Sequence, residues 1–414
     1  MHVLIVTDAY FPSRTSVAVL LYELSQTFIQ EKVNVSIIVP SATQIEPIIF
    51  MEQEGCQIIS VKALPTKDLN YARRTLNEFM NPWMIWRTLR RSSQFSKLNI
   101  DGVIWYSPSI FWGPLVKRLK HYFQCRSYLI LRDMFPDWAL HLGIIKKGLP
   151  YLFLKMIERY QYQQADTIGI QSPNNLLYFQ KHHPYIKAKL EVLWNWARPL
   201  NTIAKAPCSI DVSKTPIAGR VIFVYAGNIG VAQGMQTFLN LIESLKDRSD
   251  IGFLIVGRGS EAELIKQAVH HQDLHNAVVF DEIAPFEIPG LFEQCHVGLM
   301  FLDRRHRTHN IPGKFVTYLQ SGLPVLAIVN PGNDLLDLIP EHKIGVADDG
   351  DDLVVLRQKV LTLASQVRED SQMAYRCQAL ANSLFESKAI SHQILSTFRG
   401  YENEFPVPKY NSSR

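Results

Sequence analysis

The chain has few of the features that mark secreted, metal-bound or membrane-spanning proteins. Its five cysteines (Cys56, Cys125, Cys208, Cys295 and Cys377) are scattered with no paired metal spacing. That excludes a disulfide framework or a zinc module and fits reduced thiols in a cytosolic compartment. No stretch reaches the roughly 18–20 apolar residues of a membrane span. The opening MHVLIVTDAYFP has no basic leader and is interrupted by Asp8, so it reads as a first strand rather than a signal. There is no internal repeat, low-complexity segment or acidic metal cluster, and neither a metal nor a nucleic-acid partner is expected.

What is present is ordinary globular material: 47% hydrophobic and 20% charged residues over 414 positions. That length is too great for one core, and two domains of roughly 200 residues are expected. The charge is uneven. Residues 1–200 carry 23 Lys/Arg against 14 Asp/Glu, and residues 201–414 carry 20 against 24. A basic front half suits an anionic partner such as a phospholipid surface or a lipid pyrophosphate, or is simply an uneven spread of surface lysines.

Strand-like runs at 2–7, 35–39, 57–61, 102–106, 127–131, 167–171 and 190–194 alternate with helical patterns at about 15–31, 109–123, 150–164 and 173–182. Such alternation implies a parallel sheet with helices on both faces. The stretch 198–219, with three prolines and small polar residues, breaks the pattern. Strands near 220–225, 251–256, 277–281, 297–302, 324–329 and 344–347 then repeat the scheme. The expected fold is α/β, two doubly wound Rossmann-like domains facing a cleft. Residues 1–199 form the first domain, 200–219 a linker, 220–388 the second domain, and 389–414 a last helix and frayed tail. Ligands of such sheets bind at the carboxyl ends of the strands.

The loops there carry the chemistry. VIFVYAGNIGVAQG (221–234) joins a strand to a helix through Gly227, Asn228, Gly230, Gln233 and Gly234. Glycines allow positive φ and close approach of a phosphate, although a tight turn alone also needs them, and the GxGxxG dinucleotide spacing is absent. Arg258, in VGRGSE, sits where a guanidinium can pair with a departing diphosphate, while Ser260 and Glu263 have the spacing of a capping box. The segment DRRHRTHNIPGK (303–314) gathers Arg304, Arg305, Arg307, His309 and Lys314 ahead of a helix, which reads as a phosphate site. Asn333 and Asp334 open another helix and either bind sugar hydroxyls or cap it. In the first half, Arg132 and Asp133 end a strand in LRDMFPDW, and Arg14 and Ser16 lie between the first strand and helix. The tract 72–91 sets Phe79, Trp83 and Trp86 beside Arg87, Arg90 and Arg91, and 146–162 extends it. Both suit an interfacial surface, or a buried helix with snorkelling arginines.

The segments FPSRTSVAV, IWYSPSIFWGPL, YLILRDMFPDWALHLG, VLWNW, YAGNIGVAQG and residues 308–335 together resemble the retaining glycosyltransferases of family 4, which have the GT-B fold. Among these the chain is most similar to the WbuB-type O-antigen and capsule transferases, several of which add N-acetyl-L-fucosamine. The resemblance implies that Gly227, Asn228, Gly230, Gln233 and Gly234 line the donor diphosphate. It makes Arg258 and Lys314 contacts of the nucleotide or its phosphates, with Asp133 as the third candidate catalytic residue. Arg307, His309, Thr317, Asn333 and Asp334 join the donor side, and Arg14, Ser16 and Arg132 the acceptor side. Many relatives carry two glutamates eight positions apart where this chain has His309 and Thr317, and a lysine where it has Gln233. The arginines at 304–307 are candidates to replace that charge. The expected activity is sugar transfer from a UDP-sugar to a lipid-linked saccharide, with peripheral contact to an anionic membrane on the inner face of the plasma membrane. A nucleotide-sugar epimerase and an inactive nucleotide-sugar-binding subunit are the alternatives.

Overall fold

The computed structural model describes residues 1–13, 15–107, 109–197, 207–305 and 311–399. The first sheet comprises β1 (His2–Val6), β2 (Asn34–Ser41), β3 (Ile48–Gln53), β4 (Cys56–Lys62), β5 (Gly102–Tyr106), β6 (Arg126–Leu131), β7 (Thr167–Ile170) and β8 (Lys189–Val192). Their spatial order is β3-β4-β2-β1-β5-β6-β7-β8. The helices of this half are α1 (Ser16–Gln30), α2 (Tyr71–Leu89), α3 (Ser93–Ser96), α4 (Gly113–Phe123), α5 (Asp137–His141), α6 (Leu149–Tyr162) and α7 (Pro173–His182). Successive residues of β1 explain the layering. Leu4 and Val6 enter one apolar core while Val3 and Ile5 enter the other. A strand buried on both faces reads as a continuous apolar run, as HVLIV does.

One strand departs from the expected parallel arrangement. β3 pairs antiparallel with β4 through a two-residue turn in which Glu54 and Gly55 both have positive φ (50° and 77°). That conformation matches the twist of the flanking strands. β3 buries no residue fully, so its sequence carries no clear apolar alternation.

The second sheet comprises β9 (Val221–Asn228), β10 (Ile251–Arg258), β11 (Ala277–Phe280), β12 (Val297–Phe301), β13 (Val325–Ile328) and β14 (Gly345–Asp348), in the order β11-β10-β9-β12-β13-β14 and parallel throughout. Around it lie α8 (Met235–Ser244), α9 (Ala262–His271), α10 (Ile288–Phe292), α11 (Gly313–Gln320), α12 (Leu335–Glu341), α13 (Leu353–Glu369) and α14 (Met373–Leu384). Residues 207–219 do not hang between the halves: Ile210, Val212 and Ile217 are buried in the second core.

The last described helix, α15 (Ser387–Ser396), returns to the first half. Its Ile390, Ile394 and Leu395 pack with Leu21, Leu24 and Phe28 of α1. His392 Nε2 lies 2.9 Å from a Glu31 carboxylate oxygen, and this contact pulls the Glu31 carboxyl below its usual range.

Candidate active site

The carboxyl ends of β9 and β10 run in register, Gly227 beside Gly257. A Cβ on Gly257 would stand 1.9 Å from the Gly227 carbonyl oxygen, so only glycine lets the two strand ends close up. Gly227 itself has φ 134° and Gly234, just before α8, has φ 57°. Between them, the Asn228 side-chain amide and the Gly230 N–H both donate to Gln233 Oε1 at 3.1 Å. The loop is therefore shaped by its own polar groups.

α11 brings a cation to this loop. Its position is set by Tyr318, fully buried, whose hydroxyl donates toward the carbonyls of Val224 and Leu299 (3.2 Å each) and accepts the Ala226 N–H at 3.1 Å. One turn earlier, Lys314 has a half-buried stem and a buried ammonium. Its Nζ sits 3.6 Å over the Tyr225 ring, and no hydrogen-bond acceptor reaches it among the described residues. A Cβ placed on Gly227 would lie 3.6 Å from that Nζ, so the ammonium faces the glycine loop. Desolvation alone pushes the Lys314 pKa down to about 7. A buried cation held only by an aromatic face is arranged to receive an anion.

The other second-half candidates are placed differently. Arg258 is exposed and pairs with Glu282 at 3.1 Å. Arg304 pairs with Asp351 at 2.8 Å and Arg305 with Asp303 at 2.6 Å, so these two arginines meet carboxylates rather than the glycine loop. Ser260 and Glu263 do not form a capping box: α9 starts after Glu261, with no side-chain cap bond. Thr317 is half-buried, its hydroxyl 3.4 Å from the Gly313 carbonyl. Asn333 caps α12, its Oδ1 accepting the Leu335 N–H at 3.1 Å. The Asp334 carboxylate accepts the Asn174 N–H at 3.1 Å, at the start of α7 in the first half. Arg307 and His309 lie outside the described residues, as does Arg14.

In the first half, Arg132 is 5% exposed and turned inward. It donates to the carbonyls of Leu193 (2.6 Å) and Trp194 (3.1 Å) and lies 5.0 Å from the Trp196 ring. Asp133 is half-buried, and its backbone carbonyl accepts the Ser107 hydroxyl at 2.9 Å. Ser16 is exposed at the start of α1.

Two contacts escaped the sequence reading. The Asn195 side-chain amide donates to the Ile311 carbonyl at 2.7 Å, and the Gln171 amide donates to the same oxygen. Both cross from the first half to the residue two positions before α11, fixing how Lys314 enters the cleft. Asn195 stands in VLWNW, but an amide in an apolar segment gave no hint of its partner. Asp137, Glu158 and His183 also cluster, their ligand-type atoms within 4.8 Å of one another. Lys155 already lies 3.0 Å from Asp137 Oδ2 and pairs with Glu158, so an internal ammonium balances the carboxylates.

Residues 220–366 match the family model described as Glycosyl transferases group 1. Two bacterial relatives are each 22% identical: the glycosyltransferase WbjE of Pseudomonas aeruginosa over 55% of this chain, and WcaI of Escherichia coli K12, named for colanic acid biosynthesis, over 54%. The alignments span little more than half of those relatives, 57% and 56%. Among solved structures, WaaG, a glycosyltransferase involved in lipopolysaccharide biosynthesis, superposes with a TM-score of 0.65 at 13% identity, covering 96% of this chain and 100% of that one. Anabaena HepE in complex with UDP and glucose gives 0.63 at 14%, covering 96% and 99%. The GT-B fold and the family 4 resemblance read from the sequence are borne out.

Proposed function

We propose that this glycosyltransferase of the GT-B fold moves a sugar from a UDP-sugar to a lipid-linked saccharide in the synthesis of a bacterial surface polysaccharide. The reading rests above all on Lys314: a buried ammonium over Tyr225, facing Gly227 and without an acceptor among the described residues. A diphosphate laid across the ends of β9 and β10 supplies that acceptor. HepE, a protein of the same fold, binds UDP and glucose.

The hard step is heterolysis of the anomeric C–O bond as the diphosphate leaves. Lys314 stabilises the departing charge at short range, and Arg258 joins it by leaving its exposed pair with Glu282, a contact worth about 0–1 kcal/mol. Gly227, Asn228, Gly230, Gln233 and Gly234 line the diphosphate, and Thr317 takes a ribose hydroxyl. Asn333 and Asp334 shape the sugar side through the loop they hold; Arg307 and His309 complete the donor group. Asp133 orients the acceptor hydroxyl, with Arg132 holding its strand end; Ser16, at the start of α1, and Arg14 join the acceptor side. Attack comes from the face the diphosphate leaves, and the leaving phosphate takes the acceptor proton, so configuration is retained. Cationic side chains carry the charge, so chelation with EDTA is expected to leave the rate unchanged. The sugar is N-acetyl-L-fucosamine or a related amino sugar.

The lipid end is met by α2 and α6. Leu76, Phe79, Met80 and Trp83 of α2 are exposed, as are Leu152, Phe153 and Met156 of α6. Phe79 and Phe153 are 5.9 Å apart, so the two helices present one apolar surface. Arg118 lies 3.8 Å over the Trp83 ring, and Arg87, Arg90, Arg91, Lys146 and Lys147 are exposed nearby in sequence. Apolar side chains rimmed by cations suit an anionic bilayer surface at the inner face of the plasma membrane. Among the described residues no helix is long and apolar enough to cross a membrane.

The test is a panel of nucleotide-sugars incubated with and without a short lipid-diphosphate saccharide, reading released nucleoside diphosphate. Acceptor-dependent release from one donor, with the product anomer unchanged, is expected. An epimerised donor without acceptor, or no turnover of any donor, would refute the transferase reading.

A further inference from the structure

The carboxyl edge of the first sheet meets the donor side at one backbone atom. β7 and β8 are parallel neighbours that end together, Ile170 beside Val192. Gln171 follows β7 directly, and Asn195 stands three residues past the end of β8. Their side-chain amides converge on the Ile311 carbonyl oxygen, Asn195 Nδ2 at 2.7 Å. A carbonyl oxygen has two lone pairs, and the two amides take up both.

Ile311 belongs to both halves at once. Its side chain is 1% exposed and lies in the second core, while its oxygen is held by the first half. Pro312 comes next with φ −62°, and α11 starts after it with no side-chain cap. The proline ring fixes that φ, so the link from Ile311 into the helix is stiff. Lys314 therefore stands between two fixed points. The Ile311 carbonyl, three residues before it, is held from the first half. The Tyr318 hydroxyl, four residues after it, is tied to Val224, Ala226 and Leu299 of the second sheet. Tyr318 settles the far end of α11, and the Ile311 carbonyl settles its first turn.

Stability alone does not account for Asn195. The residue is 3% exposed, and its Oδ1 has no donor among the described residues. A buried acceptor left unmet costs free energy that a leucine of similar size would not. A side chain kept at that cost is explained by the bond its Nδ2 makes. The loop that carries Gln171 also braces the neighbouring donor loop. The Asn174 N–H donates to the Asp334 carboxylate at 3.1 Å, and Asn174 Nδ2 donates to the Gly332 carbonyl at 3.1 Å.

We infer that Asn195 and Gln171 are positioning residues for the donor: by holding the Ile311 carbonyl from the first half, they keep the Lys314 ammonium over Tyr225 and against the glycine loop. The role of Lys314 as a donor contact rests on the transferase reading above. Without the two amides the first turn of α11 loosens, the ammonium reaches water, and its pKa climbs back from about 7. Tyr225 beneath it stays protonated because burial raises its own pKa, and the facing loop 227–234 carries no ionisable side chain.

Calorimetric titration of UDP into the full chain tests this, with Asn195→Leu and Gln171→Met made singly and together. Each new side chain is close in size to the one it replaces, and in either single variant the Ile311 carbonyl keeps one donor. The pair is expected to weaken UDP about tenfold, the scale of one or two hydrogen bonds, and to lower proton uptake at pH 8 below that of wild type. In a Lys314→Met background the same pair should change UDP affinity by less than about twofold, because its effect runs through the ammonium. Thermal unfolding identifies the variants that keep the wild-type fold, and a folded single variant carries the test where the double one is damaged. Unchanged affinity in folded variants, or a loss of equal size with and without Lys314, overturns the inference. If Lys314→Met alone binds UDP as wild type does, the donor reading fails and takes the inference with it. If Lys314→Met weakens UDP and the amide variants do not, the donor reading stands and the positioning role falls.

Discussion

The two sides of the cleft are built in opposite ways. The donor side uses contiguous strand–turn–helix units, with backbone packed on backbone at Gly227 and Gly257 and one cation, Lys314, delivered by α11. A cavity of about 430 Å³ in the first half is walled by short pieces from four loops and α2, and its lining mixes Asp8, Asp68 and Glu78 with Lys67, Asn81 and Trp112. One side presents a single buried ammonium to a glycine loop; the other mixes carboxylates with a lysine and an amide.

The contrast can be broken first at Lys314. Lys314→Met keeps the bulk over Tyr225 and removes the charge. Turnover of the UDP-sugar is expected to fall about 10²–10³-fold, with the thermal unfolding midpoint little changed. Unchanged turnover would mean that Lys314 does not meet the donor.

The lipid side comes next. The double variant Phe79→Ser/Trp83→Ser removes two large apolar contacts, each worth about 1.5–3 kcal/mol when buried. Partition onto anionic vesicles is expected to drop at least tenfold in a sedimentation assay, while turnover of a short soluble acceptor is retained.

Tyr318→Phe sharpens the donor side. It deletes the hydroxyl that ties α11 to β9 and β12 and leaves buried backbone groups unpaired. Stability should fall by about 1–3 kcal/mol in denaturant unfolding. The smallest effect is expected at Asp334→Asn, which takes a charge from the start of α7. A helix-terminus charge is worth about 0.3–1 kcal/mol, so the donor KM should rise about two- to fivefold in steady-state kinetics with kcat little changed.

Sequence legibility followed the same divide. β9, β10 and α11 were readable because strand, glycine turn and helix are adjacent in the chain. The arginine loop misled for a local reason. Asp303 stands two residues before Arg305, and Asp351, distant in sequence, folds back to Arg304. Charge counting along a segment does not see partners that arrive from elsewhere. Asn333 and Asp334 were legible as an alternative only, and the fold gave them a capping bond and a bridge to α7. The cavity was invisible because Asp8, Glu78 and Trp112 are far apart in sequence and meet only once the sheet is assembled. β3 was missed because a strand without a fully buried residue leaves no period-2 signal.

The central claim is that a diphosphate sits against Lys314. Calorimetric titration of UDP at pH 7 and pH 8, in buffers of different ionisation enthalpy, tests it most directly. The free ammonium has a pKa of about 7, and a bound diphosphate raises it. Binding above pH 7 must therefore take up a proton, and affinity must fall as pH rises from there. The account predicts close to one proton taken up at pH 8 in wild type, with affinity lowered about 100-fold and uptake lost in Lys314→Met. Equal UDP affinity in both proteins, with no proton uptake in wild type, would contradict it.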